Sequence, residues 1–434
     1  MSLSVFKEIG LMKIVHPICC GLDIHKNIIV ATIATTDSNG ITTYEQSTFS
    51  TFNRDVVKLR DWLLSHNCRH ACMESTGKYW IPIWNILESE ITLTLAHPKY
   101  TKAIKGKKTD KKDSKWISDL FKHDLVINSF IPPADIRQLR DLSRYRYKLT
   151  YIKVSEKNRI QNCFTMSNIR IDSVVSDPFG KSARLIMNDI LNNPDFKPED
   201  AIPNLKKGLK KKENQIIEAL QDINVSSDQH LKMNIAYQHL DQIDEYIKTI
   251  EQYLERLVQP YDSLIDLLCT IPGLQRRSCI TIISEIGVDM SQFIDAKHFA
   301  SWAGLAPTNN ESANKKKSVR ISHAGVYLKP LLVQVALNSI RDSSNNYFTL
   351  KYNILKKRRG HKKAIIAIAR MILVSIYHIL LNGKPFHPYD FDKLMNPISK
   401  EQSSSKSLNE EDAINYLKSL GYSVNKLGLT SINE

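Results

Sequence analysis

Residues 17–49, PICCGLDIHKNIIVATIATTDSNGITTYEQSTF, hold the outline of the fold. An apolar run ends near Asp23, a second extends from Ile28 to Thr35 and a third from Ile41 to Phe49, which predicts three strands. The residues Asp37-Ser38-Asn39-Gly40 suit a tight turn, so the last two strands form a hairpin. Outward along the chain, Asn53 to Ser65 places Val56, Leu59, Leu63 and Leu64 on one side of a helix. A short strand from Ala71 to Glu74, a helix around Tyr79 to Leu87 and a strand from Ile91 to Leu95 follow, giving the order βββαβαβ. His66, Cys68, His70 and Cys72 alternate at the fourth strand, which on extended chain puts all four on one face. With no second ligand pair at zinc-finger spacing, they read as the start of a strand rather than a zinc site.

That order is the signature of the ribonuclease H-like (RuvC-like) α/β fold, in which the first and fourth strands lie side by side; the analogy is one of fold. Such a domain is expected over residues 1–135. From Arg137 to Phe164, and again from Gln215 to Leu257, the pattern is helical. Met233, Ala236, Leu240, Ile243, Ile247, Ile250, Leu254 and Leu257 alternate steps of three and four, a coiled-coil seam. Pro178, Gly180, Pro194, Pro198 and Pro203 lie between the two stretches, so a long antiparallel helical hairpin over 136–258 is the economical arrangement, and pairing of the seam with a second copy is the other. A mainly α domain is expected over 259–392, with turns at Pro272-Gly273, Gly304 to Pro307 and Gly325 and a last apolar helix from His361 to Leu381. Residues 393–434, with Ser403-Ser404-Ser405, read as a linker and a small amphipathic tail.

The 434 residues carry 60 Lys+Arg against 45 Asp+Glu, a formal net charge of +15. That excess favours a polyanionic partner over a small neutral substrate, with an acidic membrane surface as the competing reading. No run approaches the roughly 18 apolar residues of a membrane span, and the N-terminus lacks the apolar core of a signal peptide, so a cytoplasmic location and no membrane partner are expected. Seven cysteines, mostly in apolar stretches, read as reduced core thiols.

Asp23 and Glu74 each end an apolar strand, so each carboxylate stands at the rim of a buried sheet. Asp110 and Asp113 are spaced i, i+3, and Ile117, Leu120 and Phe121 continue their side of the helix, so both acids point the way the core does. Each alone is an ordinary strand-end or helix-start acid. Four carboxylates around one or two hard cations, however, make the arrangement that stabilises the attacking and leaving oxygens of a phosphodiester, and Mg²⁺ or Mn²⁺ is the expected cofactor. Eight lysines between Lys99 and Lys115, among them Lys105, Lys107, Lys108, Lys111 and Lys112, are interleaved with Tyr100 and Trp116, where a phosphate backbone would meet those acids. Arg276 and Arg277 follow the Pro-Gly turn of a helical hairpin. Lys357, Arg358, Arg359, Lys362 and Lys363 flank the positive dipole end of the last apolar helix, a second place for phosphate. Ser312 lies in a polar loop, Thr308 to Ser318, ahead of Lys315, Lys316 and Lys317; by itself it is a loop serine.

Read in order, GLDIHK, MESTG, KKTDKKDSKW, LRDLSRYRYKLT, IPGLQ, EIG, FASWAGLAP, NESA, SHAGVYLKPLL and KKRRGHKKAIIAIARMIL resemble the insertion-sequence transposases with an Asp-Glu-Asp-Asp tetrad, recombinases guided by a bridge RNA from their own element. The likeness runs from about residue 17 to residue 386. It implies that Asp23, Glu74, Asp110 and Asp113 are the tetrad of a RuvC-like domain and that Ser312 is a nucleophile forming a covalent link to DNA. It further implies carboxylate-bound Mg²⁺ at the displaced oxygen, donor and target DNA read by a structured guide RNA, and a homo-oligomer, dimer or tetramer, whose protomers share the composite site. The glycine that follows the serine in that family is Ala313 here. Where the glycine supplies a positive φ or a close approach to phosphate, alanine costs about 1 kcal/mol or more.

Three other readings compete. An actin-like sugar kinase shares the sheet order, but its phosphate loop needs glycine and small hydroxyl residues where Ile24-His25-Lys26-Asn27 stand. A RuvC-like junction nuclease would use the tetrad with water and leave Ser312 idle. An inactive nucleic-acid-binding relative would keep the fold alone.

Overall fold

The computed structural model of the protein describes residues 13–74, 77–96, 110–307, 310–312, 315–318, 321–341, 346–395 and 410–421. The chain divides into two compact units between Pro132 and Pro133.

In the first unit, strands β1 (Ile18–Ile24), β2 (Ile28–Thr36), β3 (Thr42–Ser50), β4 (His70–Glu74) and β5 (Thr92–Ala96) form one sheet in the order β3-β2-β1-β4-β5. β1 pairs antiparallel with β2 and parallel with β4, the neighbour relation expected from the strand order. The turn into β3 is tightened by Asp37, whose Oδ1 accepts from the backbone N–H of Asn39 at 2.9 Å and of Ile41 at 2.8 Å. Helices α1 (Asn53–Ser65) and α2 (Trp80–Leu87) cover one face, where Leu22, Ile24, Ile29, Ile33 and Met73 meet Val56, Leu59, Leu63, Ile83 and Leu87. Helix α3 (Asp110–Lys122) covers the other, with Ile117 and Phe121 against Cys19, Ala34, Cys72 and Ala96. The expectation that His66 to Cys72 share one face is corrected: the strand starts only at His70, and Cys68 packs in the α1–α2 core while Cys72 packs in the α3 core.

In the second unit, α4 (Ala134–Met166) and α6 (Ser227–Leu257) form the expected antiparallel pair. Arg146 bonds Glu251 at 2.9 Å, Lys153 bonds Asp244 and His239 bonds Glu156 at 2.9 Å, so residue numbers climb on one helix as they fall on the other. Of the seam residues, Met233, Ala236, Leu240, Ile243 and Leu254 are buried. The helix read continuously from Gln215 is interrupted between Ala219 and Ser227, where Asp222 adopts φ 54°. A smaller core of Ile160, Phe164, Ile186, Met187, Met233 and Tyr237 closes the far end of the pair, with α5 (Lys181–Asn192) among its walls.

Helices α7 (Asp262–Cys269), α8 (Arg276–Ile286), α9 (Ala296–Trp302), α10 (Leu328–Arg341) and α11 (Tyr347–Arg359) share one core with α12 (His361–Asn382). α12 corrects one expectation: by length and composition it is apolar enough to cross a membrane. Its apolarity runs nearly all round because α7, α9, α10 and α11 contact it, and nine of its side chains are buried in the core of this unit.

Candidate active site

β1 and β4 pair in the parallel register Cys20↔Ala71, Gly21↔Cys72 and Leu22↔Met73, so the next residue on each strand, Asp23 and Glu74, closes the pair at one edge. Side chains alternate across a sheet. Asp23 therefore shares the α3 face with Cys19 and Gly21, and Glu74 shares it with Cys72. Both acids are half-buried, and His25 Nε2 stands 3.3 Å from Asp23 Oδ2.

α3 runs antiparallel to β1. The Lys122 carbonyl accepts from the backbone N–H of Val15 at 2.9 Å, and the Ser118 carbonyl accepts from the Cys19 thiol at 3.6 Å. Further along, the helix backbone presses on Gly21, where a Cβ would stand 2.1 Å from the Ser114 carbonyl oxygen and 2.5 Å from the Ser118 nitrogen. Only glycine permits that approach, and it carries the first turn of α3, Asp110 to Asp113, toward the edge that holds Asp23 and Glu74. A polar cluster fixes the helix there: the buried Thr32 and Ser114 hydroxyls lie 2.7 Å apart, and Gln46 Nε2, from the exposed side, donates to Thr32 Oγ1 at 2.8 Å and to Ser114 Oγ at 3.1 Å. Gly21, Thr32, Gln46 and Ser114 escaped the sequence reading. The available signal was Ser114 and Ser118 at i, i+4 on the otherwise apolar side of α3, small residues that call for a small residue opposite.

Asp113 is half-buried and Lys112 exposed; Asp110 and Lys111 open α3, but their side chains, like all of Lys105, Lys107 and Lys108, lie outside the described residues. Among the described residues, no three carboxylate, imidazole or thiol groups converge closely enough to hold a cation. The donors gathered toward this edge are nonetheless hard oxygens, the set that Mg²⁺ or Mn²⁺ takes, and the positive end of the α3 dipole favours negative charge there. By donor chemistry alone, Asp23, Glu74 and Asp113 suit such an ion.

In the second unit, the expected loop around Ser312 is a two-stranded hairpin of β6 (Asn310–Ser312) and β7 (Lys315–Ser318). Ser312 pairs with Lys315 and Glu311 with Lys316, with a register shift between Asn310 and Glu311. Strands this short and this rich in lysine carry no apolar alternation, which is why they read as loop. Ala313 lies outside the described residues, as do the side chains of Ser312 and of Lys315, Lys316 and Lys317. The hairpin rises from a Pro307↔Ile321 bridge. Beneath it two positive-φ glycines clasp one another: a Cβ on Gly304 would meet the Ala324 carbonyl oxygen at 2.4 Å, and one on Gly325 would meet that of Ala303 at 2.2 Å.

Arg276 and Arg277 already face carboxylates. Arg276 bonds Glu255 at 2.8 Å and Asp262 at 2.7 Å, and Arg277 bonds Glu251. Lys357, Arg358, Arg359, Lys362 and Lys363 are all exposed around Gly360, where α11 ends and α12 begins.

Two family models match the chain. One, described as a transposase model, covers residues 20–168, and the other, the transposase family IS116/IS110/IS902, covers residues 265–352; together they span more than half of the sequence. The chain belongs to the IS110 family of transposases. Asp23, Glu74, Asp110 and Asp113 of this transposase fall within the first matched range and Ser312 within the second. It is also 32% identical over 124 residues to the pilin gene-inverting proteins of Moraxella bovis and Moraxella lacunata, a stretch that covers 28% of this chain and 38% of each of those proteins.

Proposed function

We propose that this transposase breaks and rejoins DNA strands with two sets of groups, the carboxylates Asp23, Glu74, Asp110 and Asp113 and the hydroxyl of Ser312, supplied by different protomers of an assembly. The observation that carries the reading is the meeting of Asp23 and Glu74 on adjacent parallel strand ends, on the face crossed by the helix that brings Asp110 and Asp113. Ser312 Oγ attacks the scissile phosphorus; an Oγ–P bond forms as the bond to the leaving deoxyribose oxygen breaks. The serine proton leaves to solvent or a base, and the displaced oxygen takes one up. A hydroxyl from another strand then attacks the phosphoserine, releases Ser312 and completes the exchange. Asp23, Glu74, Asp110 and Asp113 would hold a divalent cation, which when bound would neutralise the charge that develops on the leaving oxygen. Donor and target are read by pairing with a structured RNA of the element, the exposed lysines hold the backbones, and the chain works in the cytoplasm as a homo-oligomer of two or four copies.

A second reading, a metal-dependent junction nuclease that activates water, draws support from the gathering of all four carboxylates in a unit with its own cores. A denaturing gel of protein, Mg²⁺, the element's flanking RNA and labelled junction DNA separates the two. We expect a covalent protein–DNA adduct that disappears in both Ser312→Ala and Asp23→Ala. Cleavage without an adduct, unchanged in Ser312→Ala, would establish the water-using nuclease instead. Absence of any cleavage would mark an inactive nucleic-acid-binding relative, with Ala313 the first residue to revert to glycine.

A further inference from the structure

Three of the sequence motifs, LRDLSRYRYKLT, EIG and SHAGVYLKPLL, have no part in that chemistry, yet the structure brings them into contact. Arg144 reaches from α4 to the end of α8 and grips the buried Glu285 in a two-pronged pair, Nε to Oε1 at 2.7 Å and Nη2 to Oε2 at 2.8 Å. One turn earlier, Arg140 donates to the Ser284 carbonyl at 3.1 Å and to the Glu285 carbonyl at 2.7 Å; burial lowers its guanidinium pKa to about 10. The Arg144 guanidinium lies over the Tyr327 ring at 4.6 Å, and Tyr147 meets that ring edge-on at 5.2 Å. Tyr327 is two residues from Gly325, whose backbone abuts Ala303 at the foot of the Ser312 hairpin. Lys329 joins the same foot, donating from Nζ to the Ser322 carbonyl at 2.6 Å.

We propose that Glu285, Arg144 and Tyr327 are positioning residues that set the seat of the Ser312 hairpin. A buried carboxylate fixes the plane of a guanidinium through two bonds, and the plane fixes the ring stacked on it. The ring in turn holds the Ala324-Gly325 turn against Ala303 and Gly304, which precede β6 in the chain. A lysine in place of Arg144 keeps the charge and loses both the fork and the stack. The proposal rests on the reading of Ser312 as nucleophile for its effect on activity, but not for its effect on the hairpin.

The test uses the full chain with Tyr327→Ala, Tyr327→Phe and Arg144→Lys. Two quantities are read: the rate of adduct formation at saturating DNA and RNA, and the rate of limited tryptic cleavage at Lys315 to Lys317. Tyr327→Ala and Arg144→Lys are expected to speed cleavage at those lysines and to slow adduct formation by about 10²-fold with DNA affinity unchanged, the size of effect that a displacement of about 1 Å produces. Tyr327→Phe keeps the ring and is expected to restore both. Wild-type cleavage and wild-type adduct rate in folded Tyr327→Ala would overturn the proposal; should that variant fail to fold, Tyr327→Leu carries the same comparison. The tryptic pattern reads the hairpin whether or not an adduct forms, so a wild type without an adduct counts against the serine chemistry and leaves the positioning to be judged on cleavage alone.

Discussion

The two candidate halves of the chemistry are held in opposite ways. Asp23 and Glu74 end strands in the middle of a five-stranded sheet that has a core on each face, so their backbone is fixed by ladders on several sides. Ser312 sits on a hairpin of three and four residues that, among the described residues, pairs only with its own return strand, and its aim is set at the foot by Gly304, Gly325 and the contacts of Tyr327. The sheet holds the proposed carboxylates from several sides, and the hairpin holds the proposed nucleophile from its foot. Electrostatic groups act best when preorganised, and on the proposed reading the serine depends on the few contacts at its foot for the same precision.

The sharpest way to break this contrast is at the carboxylates. Asp23→Asn is expected to lower strand cleavage by about 10³-fold, since several kcal/mol of charge stabilisation is at stake. The protein should keep its melting temperature, because the half-buried group stays polar. Cleavage within tenfold of wild type would remove Asp23 from the site. Next comes the hairpin foot. Gly304→Ala forces a side chain onto a φ of +70° and against the Ala324 carbonyl, and about 3 kcal/mol of strain and overpacking should appear as a lower denaturation midpoint for the second unit.

The counterpart in the first unit is Gly21→Ala, which pushes α3 from the sheet. A loss of about 2 kcal/mol is expected, together with weaker cleavage because Asp110 and Asp113 move with the helix; unchanged cleavage would show that the helix can shift without harm to the site. The smallest effect belongs to Ser114→Ala, which takes one hydroxyl from the Thr32–Gln46–Ser114 cluster and leaves those two bonded to each other. About 1 kcal/mol of stability should go, measured by urea unfolding.

The same contrast explains what the sequence made legible. β1 to β5 alternate or run apolar between clear turn residues, so the strand order and the positions of Asp23 and Glu74 are legible in the sequence. The packing of α3 is not, because the contact of Gly21 with Ser114 joins residues far apart in sequence, and the small residues Ser114 and Ser118 signal a close approach without naming its partner. The hairpin of Ser312 was missed for the opposite reason: its pairing is local, but four residues of Lys-Lys-Lys-Ser show none of the alternation that marks a buried strand. The partners of Arg276, Arg277 and Arg144 were equally hidden, since a basic residue looks alike in sequence whether it faces phosphate or a buried glutamate.

α12 has a consequence in time rather than in space. It enters the chain at residue 361 and provides nine buried side chains around which α7, α9, α10 and α11 gather. A ribosome must therefore deliver more than four-fifths of the sequence before the core of the second unit can close. Throughout that interval the earlier helices wait with their apolar sides uncovered. Only when α12 emerges do those sides gain their common partner, so the second unit closes late in synthesis.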